Sequence, residues 1–169
     1  MLISLHELEL HPVRASEIYP PGALDFQGAK FRQARPLRVD TEAELAGKEI
    51  RVRGHISGVL EASCDRCLDK IEIPVELDFD LPYRPMEEIT QEEEVEVGED
   101  ELRVGFFSGD GVNLADVVRE QVLLSVPMKV VCRSDCRGLC PVCGVNRNAR
   151  ECGCSAQHED SPFDFLKKI

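Results

Sequence analysis

Aromatic residues are scarce in this sequence, which has no tryptophan, two tyrosines and seven phenylalanines among 169 residues. Proteins that bind single-stranded nucleic acid by stacking use aromatic side chains as platforms for the bases. The scarcity therefore argues against base stacking as a mode of binding. The hydrophobic share of 43% is ordinary for a globular protein, and the length suits one domain of normal size with a small appendage.

Long apolar runs are also missing. No window comes near the roughly 20 apolar residues that a membrane-spanning helix needs. The apolar start of the chain is interrupted at once by His6 and Glu7, which argues against a secretory signal peptide. We therefore expect a cytoplasmic protein with no membrane partner. In a reducing compartment, eight cysteines are expected to be metal ligands or redox groups rather than structural disulfides.

Basic residues are few, with 20 Lys and Arg against 32 Asp and Glu and a net charge of −12. A uniformly acidic protein repels phosphate backbones, so basic proteins are the expected partners. The charge is uneven, however, because residues 129–154 carry +3 and the remainder −15. The stretch Pro85–Glu101 has nine carboxylates and no basic residue, which predicts a solvated loop or a docking strip for a basic partner.

Catalytic signatures are missing as well. The sequence contains no Ser, His and Asp set, no phosphate-binding loop and no HExxH helix motif. The histidines lie in predicted strands or loops away from other ligand types, and we interpret each as a surface or hydrogen-bonded side chain: His6, His11, His55 and His158. We predict that the protein is not an enzyme and takes no small-molecule substrate.

Alternating hydrophobic residues predict an antiparallel β body. The period-two runs are Leu37–Val39, Ile50–Leu60 and Ile71–Leu81, and sequential strands joined by short turns are antiparallel. Further strands are predicted within Leu2–Leu10 and Leu102–Phe106. The residues between the opening strand and Ala34, which include Pro20-Pro21-Gly22, are predicted to form a loop.

One helix is predicted from Asn113, which can cap it, to Pro127, which ends it. Leu114, Val117, Val118 and Val122 would share its buried face, although the β-branched residues leave a strand as the alternative. Ser161-Pro162 predicts a short terminal helix. The fold class is α+β, a mainly antiparallel β body with one or two helices and a small C-terminal cysteine-rich ribbon. The division is a body of residues 1–128, the cysteine-rich segment 129–155 and a tail of residues 156–169.

The cysteines are spaced as zinc ligands. Zinc takes four tetrahedral N or S ligands, and a Cys-x2-Cys turn presents two thiolates to one ion. One such turn is Cys140-Pro141-Val142-Cys143, followed by Gly144, which suits a position of positive φ. Its expected partners are Cys152 and Cys154. The resulting ribbon of fifteen residues is too short to fold on hydrophobic burial alone and needs a cross-link such as a metal.

The other four cysteines suggest a second site. Cys64-Asp65-Arg66-Cys67 is another Cys-x2-Cys turn, and Cys132 and Cys136 would complete its four thiolates. Alternatively, Cys132 and Cys136 could join Cys140 and Cys143 in one site, or one of them could be a buried small hydrophobe. A redox role for the first turn, beside Arg66, is a further alternative. Its place between two strands is unlike a thioredoxin-type motif, which opens a helix. We predict one or two zinc ions.

Several of these segments resemble the bacterial YceD family, the large ribosomal RNA subunit accumulation proteins. They are Gly54-x-Ile56-x-Gly58-x-Leu60 followed by Cys64–Leu68, the helix before Pro127, Cys136–Asn146, Cys152-Gly153-Cys154 and Ser161-Pro162-Phe163. The resemblance implies a cytoplasmic factor needed for normal accumulation of 23S ribosomal RNA, with relatives in chloroplasts. It carries over no catalytic residue. Family members vary in the C-terminal cysteine cluster, which implies that the Cys64–Cys67 turn belongs to the common body.

Three functions follow from these features. The first is a zinc-stabilised, non-enzymatic factor for large ribosomal subunit biogenesis, whose acidic body contacts basic ribosomal proteins while Arg137, Arg147 and Arg150 contact rRNA phosphate. The second is a protein-interaction module that shields a basic ribosomal protein without RNA contact. The third is a thiol redox or metal-donor protein.

Overall fold

The computed structural model describes residues 1–86 and 104–154, which fall into two units. Unit 1 is formed by Met1–Ala62 and Glu72–Met128, and unit 2 by Ser63–Ile71 and Lys129–Ile169, each within the described ranges. Unit 2 thus includes the Ser63–Ile71 segment, which the sequence-based division had placed in the body. The elements in chain order are β1 Leu2–Ser4, α1 Leu5–Leu8, β2 Val13–Tyr19, β3 Phe31–Gln33, β4 Leu37–Ala46, β5 Glu49–Ser63, β6 Lys70–Pro85, β7 Gly105–Phe107, β8 Gly111–Asn113 and α2 Leu114–Ser125.

A six-stranded sheet accounts for about half of the described residues of unit 1. Its strands lie in the order β2-β4-β5-β6-β7, and β3 pairs with β5 beyond the end of β4. The pairs β2–β4, β4–β5 and β3–β5 are antiparallel, whereas β7 runs parallel to β6. A small second sheet joins β1 to β8. The α+β class with a mainly antiparallel body is confirmed.

One face of the sheet carries the core because successive side chains on a strand point to opposite faces. On β5 the inward positions Ile50, Val52, Ile56 and Leu60 are completely buried. Gly54 belongs to the same series, and a Cβ there would lie 2.7 Å from the Phe79 ring and 2.5 Å from the Asp40 carbonyl oxygen. The absence of a side chain at this position therefore lets neighbouring groups pack against β5.

The opposite face of the sheet carries cross-strand ion pairs. Arg51 on β5 donates two hydrogen bonds of 2.7 Å to Asp80 on β6, and His55 lies 2.7 Å from Asp78 and 2.9 Å from Glu76. Arginines 14, 32, 53 and 84 pair across strands with glutamates in the same way, and Arg35, which precedes β4, pairs with Glu72. These basic side chains are therefore already partnered by carboxylates.

The predicted helix is confirmed as α2, and the strand alternative for its residues is wrong. Asn113 accepts a hydrogen bond of 3.1 Å from the Ala115 amide, and the predicted face of Leu114, Val117, Val118 and Val122 is buried. The twelve residues of α2 are long enough for the core contacts of that face to outweigh the β-branched residues. Among residues 1–86 and 104–154, no helix is long and apolar enough to cross a membrane.

The start of the chain was predicted wrongly. The predicted strand within Leu2–Leu10 stops at Ser4, whose hydroxyl accepts a hydrogen bond from the Glu7 amide and caps α1. β2 and β3 lie in the stretch predicted as a loop. The predicted acidic loop lies outside the described residues except for Pro85 and Met86, and the predicted terminal helix lies outside them as well. Residues 102–103 of the predicted strand Leu102–Phe106 are also outside, and the rest of that strand overlaps β7.

Candidate metal centres

The two Cys-x2-Cys turns of unit 2 have the same backbone hydrogen bonds. In the first turn the Cys64 amide donates to the Asp69 carbonyl at 2.8 Å, and the Leu68 amide donates to the Cys64 carbonyl at 2.9 Å. In the second, Cys140 donates to Val145 at 2.8 Å and Gly144 to Cys140 at 2.9 Å. Both turns therefore fold the chain back so that the two cysteines face one point.

Both turns place the residue after the second cysteine in the left-handed region. Gly144 has φ of 72°, as its residue type suggested, and the corresponding residue of the first turn, Leu68, has φ of 64°. Leu68 is the one non-glycine residue with positive φ in the described chain. A residue with a Cβ is strained there, so hydrogen bonding in the turn sets the backbone conformation of Leu68.

The first tetrad consists of Cys64, Cys67, Cys132 and Cys136, whose Sγ atoms all lie within 4.8 Å of one another. The Sγ atoms of Cys64 and Cys136 are 3.9 Å apart, and those of Cys67 and Cys132 are 3.6 Å apart. Cys64, Cys67 and Cys136 are buried, whereas Cys132 is exposed. The structure thus brings the first turn together with the two cysteines that the sequence proposed as its partners.

The two residues inside the first turn hold the segment that carries Cys132 and Cys136. Asp65 and Val130 are joined by two hydrogen bonds, from the Asp65 amide to the Val130 carbonyl at 2.8 Å and from the Val130 amide to the Asp65 carboxylate at 2.7 Å. The Arg66 guanidinium donates to the carbonyls of Ser134 at 3.2 Å and Cys136 at 3.0 Å. The side chains between the ligands therefore position the other half of the site.

Gly138 lies against the carbonyl of Arg66 in the same turn. Its φ is 69°, and a Cβ on it would lie 2.9 Å from the Arg66 carbonyl oxygen. That oxygen also accepts a hydrogen bond of 3.0 Å from the Leu139 amide. Only glycine meets both requirements without displacing the turn.

The second tetrad consists of Cys140, Cys143, Cys152 and Cys154, whose Sγ atoms also lie within 4.8 Å of one another. Cys140 is buried, Cys152 is partly buried, and Cys143 and Cys154 are exposed. A bridge between Leu139 and Asn146 closes the turn that carries the first two ligands. The alternative single site of Cys132, Cys136, Cys140 and Cys143 is not what the structure forms, because these cysteines are divided between the two tetrads.

Both tetrads fit a single tetrahedral metal ion. Zinc–sulfur bonds of about 2.3 Å place tetrahedral sulfurs about 3.8 Å apart, close to the measured 3.6 and 3.9 Å in the first tetrad. The same distances are far beyond the roughly 2.05 Å of a disulfide bond. Four sulfur ligands fill the coordination shell and leave no open position for water or substrate. Each tetrad could therefore hold one ion in a closed site.

The sulfurs ionise unequally because of their hydrogen bonds and their mutual repulsion. Burial opposes the ionisation of Cys64, but amides of Cys67, Arg66 and Cys132 donate toward its sulfur and hold its pKa at about 6. Amides of Cys143 and Val142 lower the pKa of Cys140 to about 6 in the same way. The Cys143 sulfur raises the pKa of Cys154 to about 12. A bound cation would relieve the repulsion among such sulfurs.

The sequence did not single out the polar residues around the first tetrad. The Asn148 amide group donates to the Cys136 sulfur at 3.2 Å, and this contact lowers the pKa of that thiol. Asp69 lies 3.3 Å from the Cys67 sulfur, and Asn146 donates to Asp69 at 2.9 Å. The one available signal was the pair of asparagines between Cys143 and Cys152, a residue type that commonly forms local turns.

The predicted phosphate-binding arginines differ in their surroundings. Arg137 forms an ion pair of 3.2 Å with Glu151. Arg147 and Arg150 are exposed, and neither guanidinium has a partner among residues 1–86 and 104–154. The histidines of the described ranges, His6, His11 and His55, belong to neither tetrad, and His158 lies outside those ranges.

A family model described as large ribosomal RNA subunit accumulation protein YceD matches residues 52–169. This match covers most of β5, all of β6 and α2, and all eight cysteines. No solved structure matches the chain.

Similar proteins occur in bacteria and plants. An uncharacterized protein of Mycobacterium tuberculosis is 28% identical over 141 residues, which cover 81% of this chain and 62% of the relative. Large ribosomal RNA subunit accumulation protein YCED homolog 1, chloroplastic, of Arabidopsis thaliana is 25% identical over 82% of this chain and 50% of its own length. Uncharacterized protein YlbN of Bacillus subtilis is 25% identical over 79% of this chain and 73% of its own length. The chain therefore spans between half and three quarters of these relatives.

Proposed function

Because this chain belongs to the YceD family of large ribosomal RNA subunit accumulation proteins, we propose that it is a non-enzymatic zinc-binding factor that supports 23S rRNA accumulation and large ribosomal subunit biogenesis. The name of the Arabidopsis relative describes accumulation of large-subunit ribosomal RNA. The observation that carries the rest of the proposal is the pair of four-cysteine clusters in unit 2.

Zinc suits these clusters better than an iron–sulfur cluster. Sulfurs within 4.8 Å of one another surround a single ion, whereas a cluster distributes its cysteine ligands over several iron atoms. Closed four-thiolate sites are characteristic of structural zinc. Such a site supports folding and offers no position for an activated water, which supports a non-enzymatic role.

The hydrophobic core of unit 2 is small, so the unit is expected to need bound metal to fold. Its buried cluster consists of Cys64, Cys67 and Cys136, with Val131 packed against them. A core of this size supplies too little hydrophobic free energy to order the chain around it. Metal binding supplies the missing free energy, since binding and folding are one process in such sites.

Metal content is the first test. Native mass spectrometry of the purified full chain is expected to show two zinc ions, and addition of a strong chelator is expected to remove both. The double variant C143S/C154S is expected to retain one ion. A wild-type chain that binds no zinc after expression in zinc-supplemented medium refutes the zinc part of the proposal.

The proposed partner surface is the basic part of unit 2, which contacts rRNA phosphate. The described residues of this unit carry a formal charge of +3, whereas those of unit 1 carry −6. Arg147 and Arg150 have no carboxylate partner in the described ranges, so phosphate contact costs them no existing ion pair. The most acidic stretch of the sequence remains a proposed contact for basic ribosomal proteins.

RNA binding is tested with two variants that remove the same charge. R147Q/R150Q is expected to weaken binding to 23S rRNA fragments, and the dependence of log affinity on log salt is expected to fall by about 0.7 to 0.9 per lost contact. R14Q/R51Q removes two arginines that are paired on the sheet and serves as the control. Equal losses in both variants refute a localised phosphate contact, and crosslinking to proteins alone favours the shielding function.

The cellular role is tested by gene deletion. Loss of the gene is expected to lower 23S rRNA and 50S subunits in sucrose gradients, with recovery by the wild-type gene. Recovery is expected to fail with C64S/C67S because this variant removes half of the first tetrad. Normal 50S profiles in the deletion strain contradict the proposal.

A further inference from the structure

The loop between the two halves of the second tetrad contacts the first tetrad. This loop, residues 144–151, joins Cys143 to Cys152. Asn148 in the loop donates a hydrogen bond of 3.2 Å from its side-chain nitrogen to the Cys136 sulfur. The oxygen of the same side chain accepts from the Arg137 amide at 2.8 Å and from the Arg133 guanidinium at 2.9 Å. The Asn148 side chain is thus fixed at both ends.

Asn146 makes a second connection. Its side-chain nitrogen donates to the Asp69 carboxylate at 2.9 Å, and its oxygen accepts from the Asn148 amide at 2.9 Å. The Asp69 oxygen that accepts this bond is 3.3 Å from the Cys67 sulfur. Asn146 therefore partly offsets the negative charge of Asp69, which faces the Cys67 sulfur. It also orients Asn148, which contacts the Cys136 sulfur.

The shape of this loop depends on the turn that carries the second tetrad. The Arg147 amide donates to the Gly138 carbonyl at 2.9 Å, and the amides of Ala149 and Arg150 donate to the Asn146 carbonyl at 3.1 and 3.2 Å. The bridge between Leu139 and Asn146 lies next to Cys140. A metal that ties Cys140 and Cys143 to Cys152 and Cys154 closes both ends of the loop.

We infer that Asn146 and Asn148 are positioning residues that couple the two metal sites, so that metal at the Cys140 tetrad raises the affinity of the Cys64 tetrad. This inference rests on the proposed metal binding. Hydrogen bonds to a ligand hold its orientation, and loss of such a partner typically costs about 10-fold to 100-fold in metal affinity. Coupling between two sites is reciprocal, so filling the Cys64 tetrad strengthens the Cys140 tetrad by the same factor.

The test is Co²⁺ binding to the reduced full chain, measured by thiolate-to-cobalt absorption in competition with a chelator. C143S/C154S leaves one complete site, and its Co²⁺ affinity is expected to be at least 10-fold below that of the Cys64 tetrad in the wild-type chain. C64S/C67S is expected to weaken the Cys140 tetrad by the same factor. Cys143 and Cys154 are exposed, so serine at these positions disturbs little packing.

The asparagine contact is tested without removing any cysteine. N148D keeps an oxygen for Arg137 and Arg133 but replaces the nitrogen that donates to the Cys136 sulfur. It is expected to weaken the Cys64 tetrad about 10-fold or more, as N148A does, whereas A149S, at an exposed position of the same loop, leaves both sites unchanged. In the C143S/C154S background N148A is expected to cause a smaller loss, because part of the coupling is already absent.

The outcomes separate this inference from the proposed function. The coupling is overturned if the wild-type chain binds two Co²⁺ ions and each double-serine variant binds Co²⁺ at its remaining tetrad with wild-type affinity. Metal binding itself stands in that case. An N148D variant with wild-type affinity at the Cys64 tetrad overturns the role of Asn148. A wild-type chain that binds no Co²⁺ at either tetrad overturns the proposed metal binding itself.

Discussion

Substitution of Gly138 tests how closely this residue approaches the first Cys-x2-Cys turn. Gly138 and Gly144 both have positive φ, of 69° and 72°, but only Gly138 has a neighbour within reach of an added Cβ. A left-handed conformation costs a residue with a Cβ about 1–2 kcal/mol. Alanine recovers about 0.4–1 kcal/mol of this through lower entropy of the unfolded chain. We therefore expect G144A to destabilise unit 2 by about 1 kcal/mol.

The G138A variant has an additional cost. Its Cβ would lie 2.9 Å from the Arg66 carbonyl oxygen, which is held in place by the hydrogen bond from the Leu139 amide. Overpacking against a fixed neighbour typically costs about 1–3 kcal/mol, so G138A is expected to cost about 2–4 kcal/mol in total. Because every 1.4 kcal/mol is about tenfold in an equilibrium constant, zinc affinity is expected to fall about 30-fold or more, against about fivefold for G144A.

The assay is chelator competition with the zinc-loaded full chain. Folding and metal binding are linked in such sites, so the change in apparent zinc affinity reports the destabilisation of unit 2. Both variants contain the same substitution at nearly the same φ, so the difference between them isolates the contact with Arg66. Equal losses in G138A and G144A would refute the close approach of Gly138 to the first turn.

Three more results are expected. Leu68 is strained and 62% exposed. Because L68G releases a strain of about 1–2 kcal/mol, it is expected to leave zinc affinity unchanged or raise it up to about fivefold. A tenfold loss in chelator competition would contradict this. Hydrogen bonds that the His55 ring donates to the carboxylates of Asp78 and Glu76 raise the pKa of His55. Its stabilising effect is therefore complete below the unfolded pKa of about 6.5 and is lost as pH rises through the higher folded pKa. The difference in unfolding free energy between wild type and H55Q should therefore be larger at pH 5.5 than at pH 9 in urea titrations, and an equal difference argues against these ion pairs. Chelation is expected to unfold unit 2. The sheet of unit 1 has its own core and is expected to retain its circular dichroism signal. Loss of the β signal on chelation would show that unit 1 also depends on the metal.

The long regular elements and the cysteine clusters were predictable from the sequence because their signals are local. Period two identified β4, β5 and β6, and a capping residue with a hydrophobic face identified α2. The Cys-x2-Cys spacing identified both turns, and the remaining cysteines suggested their partners. The sequence left open whether Cys132 and Cys136 join Cys64 or Cys140, because that choice depends on the contacts that Asp65 and Arg66 make across the chain.

The missed features depend on contacts between distant residues. The inward positions of β2 are Val13, Ala15, Glu17 and Tyr19, so a glutamate interrupts the period-two signal. β2 is a strand because it pairs with β4 over seven residues. Leu68 gives no sign of a left-handed conformation, since glycine or asparagine is the usual residue there. Asp69 and Asn148 are polar residues of ordinary type whose roles arise from their distances to the Cys67 and Cys136 sulfurs.

The arginines show why net charge alone is a poor guide to partners in this protein. On the sheet of unit 1, Arg51 and Arg53 lie on β5 between the carboxylates of β4 and β6, and each has an ion pair. An ion-paired arginine must lose or share its carboxylate to bind phosphate, and the nearby acidic residues repel the incoming anion. Arg147 and Arg150 have no such carboxylate within the described ranges. If rRNA contacts the described residues, it should therefore do so at unit 2, where zinc would fix the loop that carries both arginines.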